Sequence, residues 1–347
     1  MSLVRTHLSQ VAKYEPGPST AEVEIDLSEN TNLWGMPPAV EHALRELPPS
    51  AVTRYPTLYG AKVKQTVAAY AGVRADEVVV GCGSDDVIDA SFRAFGEPGA
   101  RVGYCEPNFS MVPVFSRLCG LEPAPVAYRP DGSVDVEALL AIGARLLYVG
   151  SPNNPTGRTI SESDGEELVR RFEGVLLLDE AYGEFAGPSG IAPRRIGDRV
   201  LVIRTLSKAF GLAGLRVGYA IGAPPLVAAV ERALGPYKVN GVAERAAIAA
   251  LSEGAEWVRE RAQEARQIRA RLEAELRRRG LEPLPSEANF LLVPVPDSEA
   301  LSRGIRARGV AVRHFKQLRG IGDAIRVGVG PWPLMEAFLR ALDEVRG

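Results

Sequence analysis

The sequence predicts an α/β fold, with a mainly parallel seven-stranded sheet covered by helices on both faces and a smaller α+β unit after it. Three observations carry that reading. Wholly apolar runs such as Leu146-Leu147-Tyr148-Val149, Val175-Leu176-Leu177-Leu178 and Val200-Leu201-Val202-Ile203 recur between helical stretches. Runs without polar alternation belong to strands buried on both faces, as in parallel sheets. The polar and glycine-rich motifs stand just past the ends of these runs, where open α/β sheets collect their ligands. Finally, the chain has 347 residues, enough for two units, and its character changes after Pro236.

Composition narrows the function. Hydrophobic residues make up 46% and charged residues 24%, ordinary values for a soluble globular enzyme. A formal net charge of −2 gives no electrostatic reason to expect nucleic acid or a membrane surface as partner. Cys82, Cys105 and Cys119 lack metal-ligand spacing and read as reduced thiols in a cytosol. His7, His42 and His314 form no ligand pattern, so no protein-bound metal is expected. No basic segment followed by a long apolar core opens the chain, so no signal peptide is expected. No apolar run reaches the roughly 20 residues of a membrane span.

Residues 1–48 read as an irregular arm that also contributes to the smaller unit, with turn-forming Tyr14-Glu15-Pro16-Gly17-Pro18 and polar Asn30-Thr31-Asn32 beside Trp34. That polar stretch either lines a ligand site or satisfies turn backbone. Pro37-Pro38 opens a short helix over 39–46. Residues 49–240 form the large unit. A helix is expected over 60–71, a strand over 77–80, and a turn Gly81-Cys82-Gly83 leading into a helix over 87–95. Backbone N–H groups at such a helix start attract phosphate. Asp85 and Asp86 there read as capping groups. The turn is close to the dinucleotide signature, but Asp86 replaces its third glycine; Glu106 would be the ribose acid of that rival, nicotinamide-binding reading.

Further strands are expected over 101–104, 123–128, 145–150, 175–179, 200–203 and 217–221, with helices over 108–119 and 162–172. Residues 241–347 form the small unit. A helix over 243–251 precedes a long one over 255–279, whose apolar stripe includes Val258, Ala262, Ile268 and Leu272. Its arginines read as a solvated face paired at i,i+4, Glu273 with Arg277 and Glu275 with Arg279. Strands over 289–293, 309–313 and 325–329 complete the unit. Arg326 sits in an apolar strand and needs either an internal carboxylate or a ligand's anion.

The chemistry centres on Ser207-Lys208-Ala209-Phe210-Gly211-Leu212-Ala213-Gly214-Leu215-Arg216, which follows the strand at 200–203. A lysine at the end of a buried strand loses solvation, which favours its neutral amine and makes it a candidate nucleophile toward a carbonyl. Ser207 and Arg216 suit a phosphate, one as a single donor and the other as a fork of donors. Asp179, also at a strand end, could hold a pyridine nitrogen protonated so that the ring accepts electrons. Tyr182 and Asn154 could hydrogen-bond a phenolic oxygen. A phosphorylated electron-sink aldehyde with these features is pyridoxal phosphate.

Four motifs occur in order: Arg54-Tyr55-Pro56, Ser151-Pro152-Asn153-Asn154-Pro155-Thr156-Gly157, Asp179-Glu180-Ala181-Tyr182, and the Ser207–Arg216 run. With them the sequence resembles, nearly end to end, the histidinol-phosphate aminotransferase family of fold-type-I pyridoxal-phosphate enzymes. The resemblance implies an aminotransferase exchanging an amino group between histidinol phosphate and 2-oxoglutarate. It implies that Lys208 carries the cofactor and later moves the substrate's proton, that Asp179 faces the pyridine nitrogen, and that Asn154 and Tyr182 face the phenolic oxygen. It places Gly83, Ser84, Asp85, Ser207 and Arg216 around the cofactor phosphate, joined by Tyr55 from the other subunit of a homodimer. Phe109 takes the ring-stacking position, and Tyr14, Asn30, Asn154, Arg313 and Arg326 bind substrate. Where the family has Asn-Glu-Asn-Pro, this chain has Asn30-Thr31-Asn32-Leu33; an aromatic amino-acid aminotransferase is therefore the alternative, and a threonine-phosphate decarboxylase a more distant one. A non-catalytic regulator would need a DNA-binding extension.

Overall fold

The computed structural model describes residues 8–9, 11, 23–186 and 197–347. In chain order the elements are β1 (Ile25–Asp26), α1 (Pro38–Arg45), α2 (Ser50–Thr53), α3 (Ala61–Ala71), β2 (Val78–Cys82), α4 (Ser84–Phe95), β3 (Arg101–Glu106), α5 (Met111–Leu118), β4 (Glu122–Ala127), α6 (Val136–Ala141), β5 (Leu146–Gly150), α7 (Glu162–Arg171), β6 (Val175–Asp179), α8 (Gly183–Ala186), β7 (Val200–Thr205) and β8 (Val217–Gly222). They continue as α9 (Pro224–Leu234), α10 (Gly241–Ser252), α11 (Ala255–Arg278), β9 (Phe290–Pro294), α12 (Ser298–Arg306), β10 (Val310–Ala311), β11 (Arg313–Leu318), β12 (Gly322–Gly328) and α13 (Trp332–Arg346).

The apolar runs do become one seven-stranded sheet, in the order β2-β8-β7-β6-β5-β3-β4. Only β8 runs against its neighbours β2 and β7; the remaining pairs are parallel. Side chains alternate faces, as strand geometry requires. Val79, Tyr148 and Leu177 pack with Ile88 and Phe92 of α4 and Val227 of α9. On the other face, Leu147, Val149 and Leu176 meet Leu139 of α6 and Leu168 of α7, and Val80 and Tyr219 meet Val63 of α3 and Ala246 of α10. Each fully buried aliphatic side chain is worth about 1.5–3 kcal/mol relative to exposure.

β11, β12 and β9 form a separate antiparallel sheet, packed with Met335 and Phe338 of α13. The arm joins this layer: β1 pairs in parallel with β10, Ile25 opposite Val310. Helix α11, 24 residues and so roughly 36 Å long, serves both layers. Val258, Ala262 and Ala265 lie in the core beside the large sheet, and Ile268, Leu272 and Leu276 in that beside the small one. Its stripe is buried as expected, and Glu273–Arg277 (2.8 Å) and Glu275–Arg279 (2.6 Å) pair on the outer face.

Several boundaries differ from the sequence expectation. Gly81 and Cys82 are in β2, not in a turn. The helix expected from Asn108 begins at Met111, because Asn108 Oδ1 accepts the Phe109 N–H (2.8 Å) and Asn108 Nδ2 donates to the Cys105 carbonyl (2.9 Å), a local bonding that competes with helix. The strand expected over 309–313 divides into β10 and β11. Helices α6, α9, α12 and α13 were not anticipated, although Pro224 and Pro333 in their first turns mark α9 and α13.

Candidate active site

Strands β5, β6 and β7 are parallel neighbours, so their carboxyl ends lie side by side. Together with the start of α4 they wall a cavity of about 160 Å3 whose lining includes Ser84, Asp85, Asn154, Asp179, Tyr182, Ser207, Lys208 and Arg216. The sequence motifs thus converge on one place.

One end of the cavity is built for an anion. Gly83, with φ of 83°, precedes α4, and no side chain caps the helix N-terminus. The backbone N–H groups there carry the positive end of the helix dipole. Arg216, in the left-handed region at φ 54°, reaches Asp85 Oδ2 (3.0 Å) and Ser207 Oγ (3.5 Å). A Cβ at Gly83 would sit 2.6 Å from Arg216 Nη2, and one at Gly218 would sit 2.1 Å from the Ser84 nitrogen. Glycine at both positions is what lets the arginine and the helix start approach. The capping expectation for the aspartates is corrected. Asp85 pairs with Arg216, and Asp86 accepts from the Cys82 N–H (2.9 Å) and pairs with Lys238 (3.2 Å).

The other end holds Asp179. Its Oδ2 accepts from the Tyr148 hydroxyl (2.5 Å) and its Oδ1 from the Ala181 N–H (2.9 Å). Burial pushes its carboxyl up to about 6, against the pull of those two bonds, with Asp85 and Glu180 adding to the rise. Between the two ends stands Lys208. It is half-buried rather than sealed, so burial alone does not single out its amine as the sequence suggested. Its Nζ donates to the Glu29 carbonyl (3.0 Å) and lies 5.7 Å from the Tyr182 ring centre.

A second cavity, of about 140 Å3, adjoins the first, and Phe109, Asn154, Tyr182 and Lys208 face both. Its far wall carries Arg313 and Arg326, directly opposite each other across β11 and β12. Arg326 is buried, donates to Asn154 Oδ1 (2.6 Å) and to the Ser28 carbonyl, and lies 5.4 Å from the Phe290 ring centre. Asn30 completes the wall: its Nδ2 donates to the Tyr182 hydroxyl (3.1 Å), while its buried Oδ1 has no partner among the described residues. In the polar arm Asn30 lines the cavity, while Asn32 serves the turn backbone, its Oδ1 accepting the Trp34 N–H (2.9 Å).

Tyr55 is 84% exposed, stacks on Tyr237 at 4.9 Å and lines neither cavity of its own chain. Tyr14 lies outside the described residues. Sequence reasoning missed Tyr148, Thr205, Asn289 and Glu29. Thr205 Oγ1 donates to Ser207 Oγ (2.9 Å), and Asn289 Nδ2 donates to the Asn30 carbonyl (3.2 Å). Glu29 places a carboxylate-bearing residue on the second cavity, two positions before Thr31. The available signal was for Tyr148, since a tyrosine inside an apolar strand needs a partner for its hydroxyl.

The dinucleotide rival fails on topology. Its signature needs a parallel βαβ unit, whereas β2 is an edge strand antiparallel to β8 and β3 lies near the opposite edge. Glu106 faces Arg319 at 3.9 Å. Among the described residues no cluster of three histidine, cysteine, aspartate or glutamate side chains could hold a metal, and no helix is long and apolar enough to cross a membrane.

Residues 22–342 match the family model described as aminotransferase class I and II. The chain belongs to that family. It is 32% identical to a histidinol-phosphate aminotransferase of Thermoanaerobacter pseudethanolicus over 99% of both chains. It is 36% identical to histidinol-phosphate aminotransferase 2 of Carboxydothermus hydrogenoformans, over 94% of this chain and 95% of the relative. Among solved structures, histidinol-phosphate aminotransferase from Sinorhizobium meliloti in complex with pyridoxal-5′-phosphate superposes with a TM-score of 0.87 at 25% identity, covering 99% of this chain and 98% of that one. Aspartate aminotransferase from Thermus thermophilus with maleate (TM-score 0.82, 21% identity, 99% and 100% covered) shares the fold. This is fold type I of the pyridoxal-phosphate aminotransferases.

Proposed function

We propose that this aminotransferase uses pyridoxal 5′-phosphate to move an amino group between histidinol phosphate and 2-oxoglutarate. The observation that carries the substrate reading is the facing pair Arg313 and Arg326 on a cavity that shares Lys208 with the first one. Both guanidiniums are on the cavity wall, where an anionic group of the substrate would accept forked, charge-assisted hydrogen bonds from them. A phosphate or a carboxylate satisfies the same wall, as an enzyme with two alternating substrates requires.

The residues of the first cavity fit the cofactor. The α4 amides, Ser207 and Arg216 would hold its phosphate, Asp179 its ring nitrogen, Asn154 and Tyr182 its phenolic oxygen, and Phe109 its ring face. When bound, pyridoxal phosphate supplies an electron sink that acidifies the hydrogen on the substrate's amino-bearing carbon. Lys208 Nζ faces both cavities, so its amine can take that proton and return it at a neighbouring atom. The Asp179 carboxylate lines the first cavity, where it would stabilise a positive charge on the ring nitrogen. Tyr182 and Asn154, tied to Asn30 and Arg326 (3.1 and 2.6 Å), orient whatever spans the two cavities. Asn30 Oδ1 offers a free acceptor to a substrate donor.

Homologous names support histidinol phosphate as amino donor; Thr31 in place of the family's glutamate keeps aromatic amino acids as the alternative. Exposed Tyr55, Val52 and Leu58 support a homodimer in which Tyr55 reaches the partner's phosphate site, and Tyr14 is assigned to the substrate side. Reduced thiols support a cytosolic setting. The division at residues 48 and 240 is the working domain assignment.

The test is the absorption spectrum of the purified holoprotein. Histidinol phosphate, and not phenylalanine, is expected to remove the cofactor's visible band, and 2-oxoglutarate to restore it. Loss with phenylalanine alone assigns the aromatic reaction instead.

A further inference from the structure

Tyr148 has no role in the reaction as described so far, yet it is 2% exposed and its hydroxyl is spent on Asp179 Oδ2 at 2.5 Å. Strand register explains how the two meet. Gly150 is paired with Asp179, and Tyr148, two residues earlier, is paired with Leu177. Tyr148 and Asp179 therefore share a sheet face, and the glycine leaves the diagonal between them clear for the phenol. Both line the first cavity. A buried carboxylate with a hydroxyl and an N–H as donors is held in one orientation and kept charged.

We propose that Tyr148 is a positioning residue, its hydroxyl fixing Asp179 as an anion aimed into the first cavity so that a ring nitrogen bound there keeps its proton near neutral pH. The proposal rests on the cofactor reading above. The charges facing Asp179 make such a donor necessary. Asp85 from α4 and Glu180 beside it oppose its ionisation, with burial the largest opponent. Of the cations nearby, Arg216 is engaged by Asp85 and Arg204 on β7 by Glu180 and Glu184, while Lys208 and Tyr182 stand at the cavity wall.

The experiment measures binding of pyridoxal 5′-phosphate to the apoprotein between about pH 5.5 and pH 8.5, for wild type and Tyr148→Phe. A protonated Asp179 must lose its proton to receive a protonated ring nitrogen, so affinity falls once pH drops below its pKa. Loss of the donor raises that pKa and moves the fall to higher pH. The variant-to-wild-type ratio of dissociation constants cancels titration of the cofactor phosphate and of Lys208. It is expected to grow about tenfold as pH falls from about 8 to about 6. A ratio that is flat with pH, however large, means a packing role only and overturns the proposal. Wild type that binds no cofactor at any pH overturns the cofactor reading itself. A second measurement needs no variant: protein containing 3-fluorotyrosine has a stronger phenol donor, and its affinity is expected to break at lower pH; an unmoved break counts against Tyr148.

Discussion

The two cavities share four residues but are built on different principles. The first is walled by the ends of buried parallel strands and the start of one helix, and its polar groups are braced by one another: Tyr148 on Asp179, Thr205 on Ser207, Arg216 on Asp85. The second is assembled from the arm, from β11 and from β12, parts of the chain some 300 residues apart that meet at contacts such as Arg326 with Ser28 (|i−j| = 298). Its arginines face each other across β11 and β12, with Glu29 on the same cavity. The first wall is finished by one sheet and the helix beside it; the second exists only where the arm and the small sheet meet.

If that contrast holds, damage to the first cavity should strike every substrate equally. Lys208→Ala is the most severe case: turnover is expected to fall by about 10^4-fold or more with any amino donor, measured in single turnovers. Loss confined to one donor would break the comparison. Asp179→Asn probes the same cavity through stability. The folded-state pKa is raised from 3.8 to about 6, so the folded protein holds a proton that the unfolded chain gives up. The apoprotein therefore loses stability as pH rises from about 4 to about 6, by roughly 3 kcal/mol, and the penalty persists above that range. The asparagine variant should lack this part of the pH dependence in denaturant titrations. An unchanged profile would mean that Asp179 is not the group responsible.

The second cavity should respond substrate by substrate. Arg326→Lys keeps charge but loses the fork, and its kcat/KM is expected to fall about 10–100-fold, unequally for histidinol phosphate and glutamate, while the holoprotein spectrum stays put. Equal losses, or a shifted spectrum, would merge the two cavities into one functional unit.

What was legible in the sequence follows the same division. The residues of the first cavity are encoded locally, as strand–turn motifs whose positions past Val175–Leu178 and Val200–Ile203 already put them at the sheet's carboxyl edge. The bracing was not legible. Nothing near Tyr148 in sequence points to Asp179, 31 residues on, because only strand pairing brings them together. Lys208 was misjudged in one respect. Its strand is buried, but the residue stands in the opening between two cavities and keeps partial exposure. Arg326 was conspicuous as a charge in an apolar strand, yet its partners Asn154 and Ser28 come from two other regions of the chain and no spacing rule links them.

Helix α11 gives the contrast a mechanical side. One face of it, over a single unbroken run of backbone hydrogen bonds, is embedded in both hydrophobic cores. It acts as a keel. Neither core can melt without stripping the other of part of its packing, so cooperativity is transmitted from the sheet that carries Lys208 to the layer that carries the arginines. Any closing of the arginine wall on a guest must then come from bending along the keel or from the arm, not from free rotation of one layer about a loose joint.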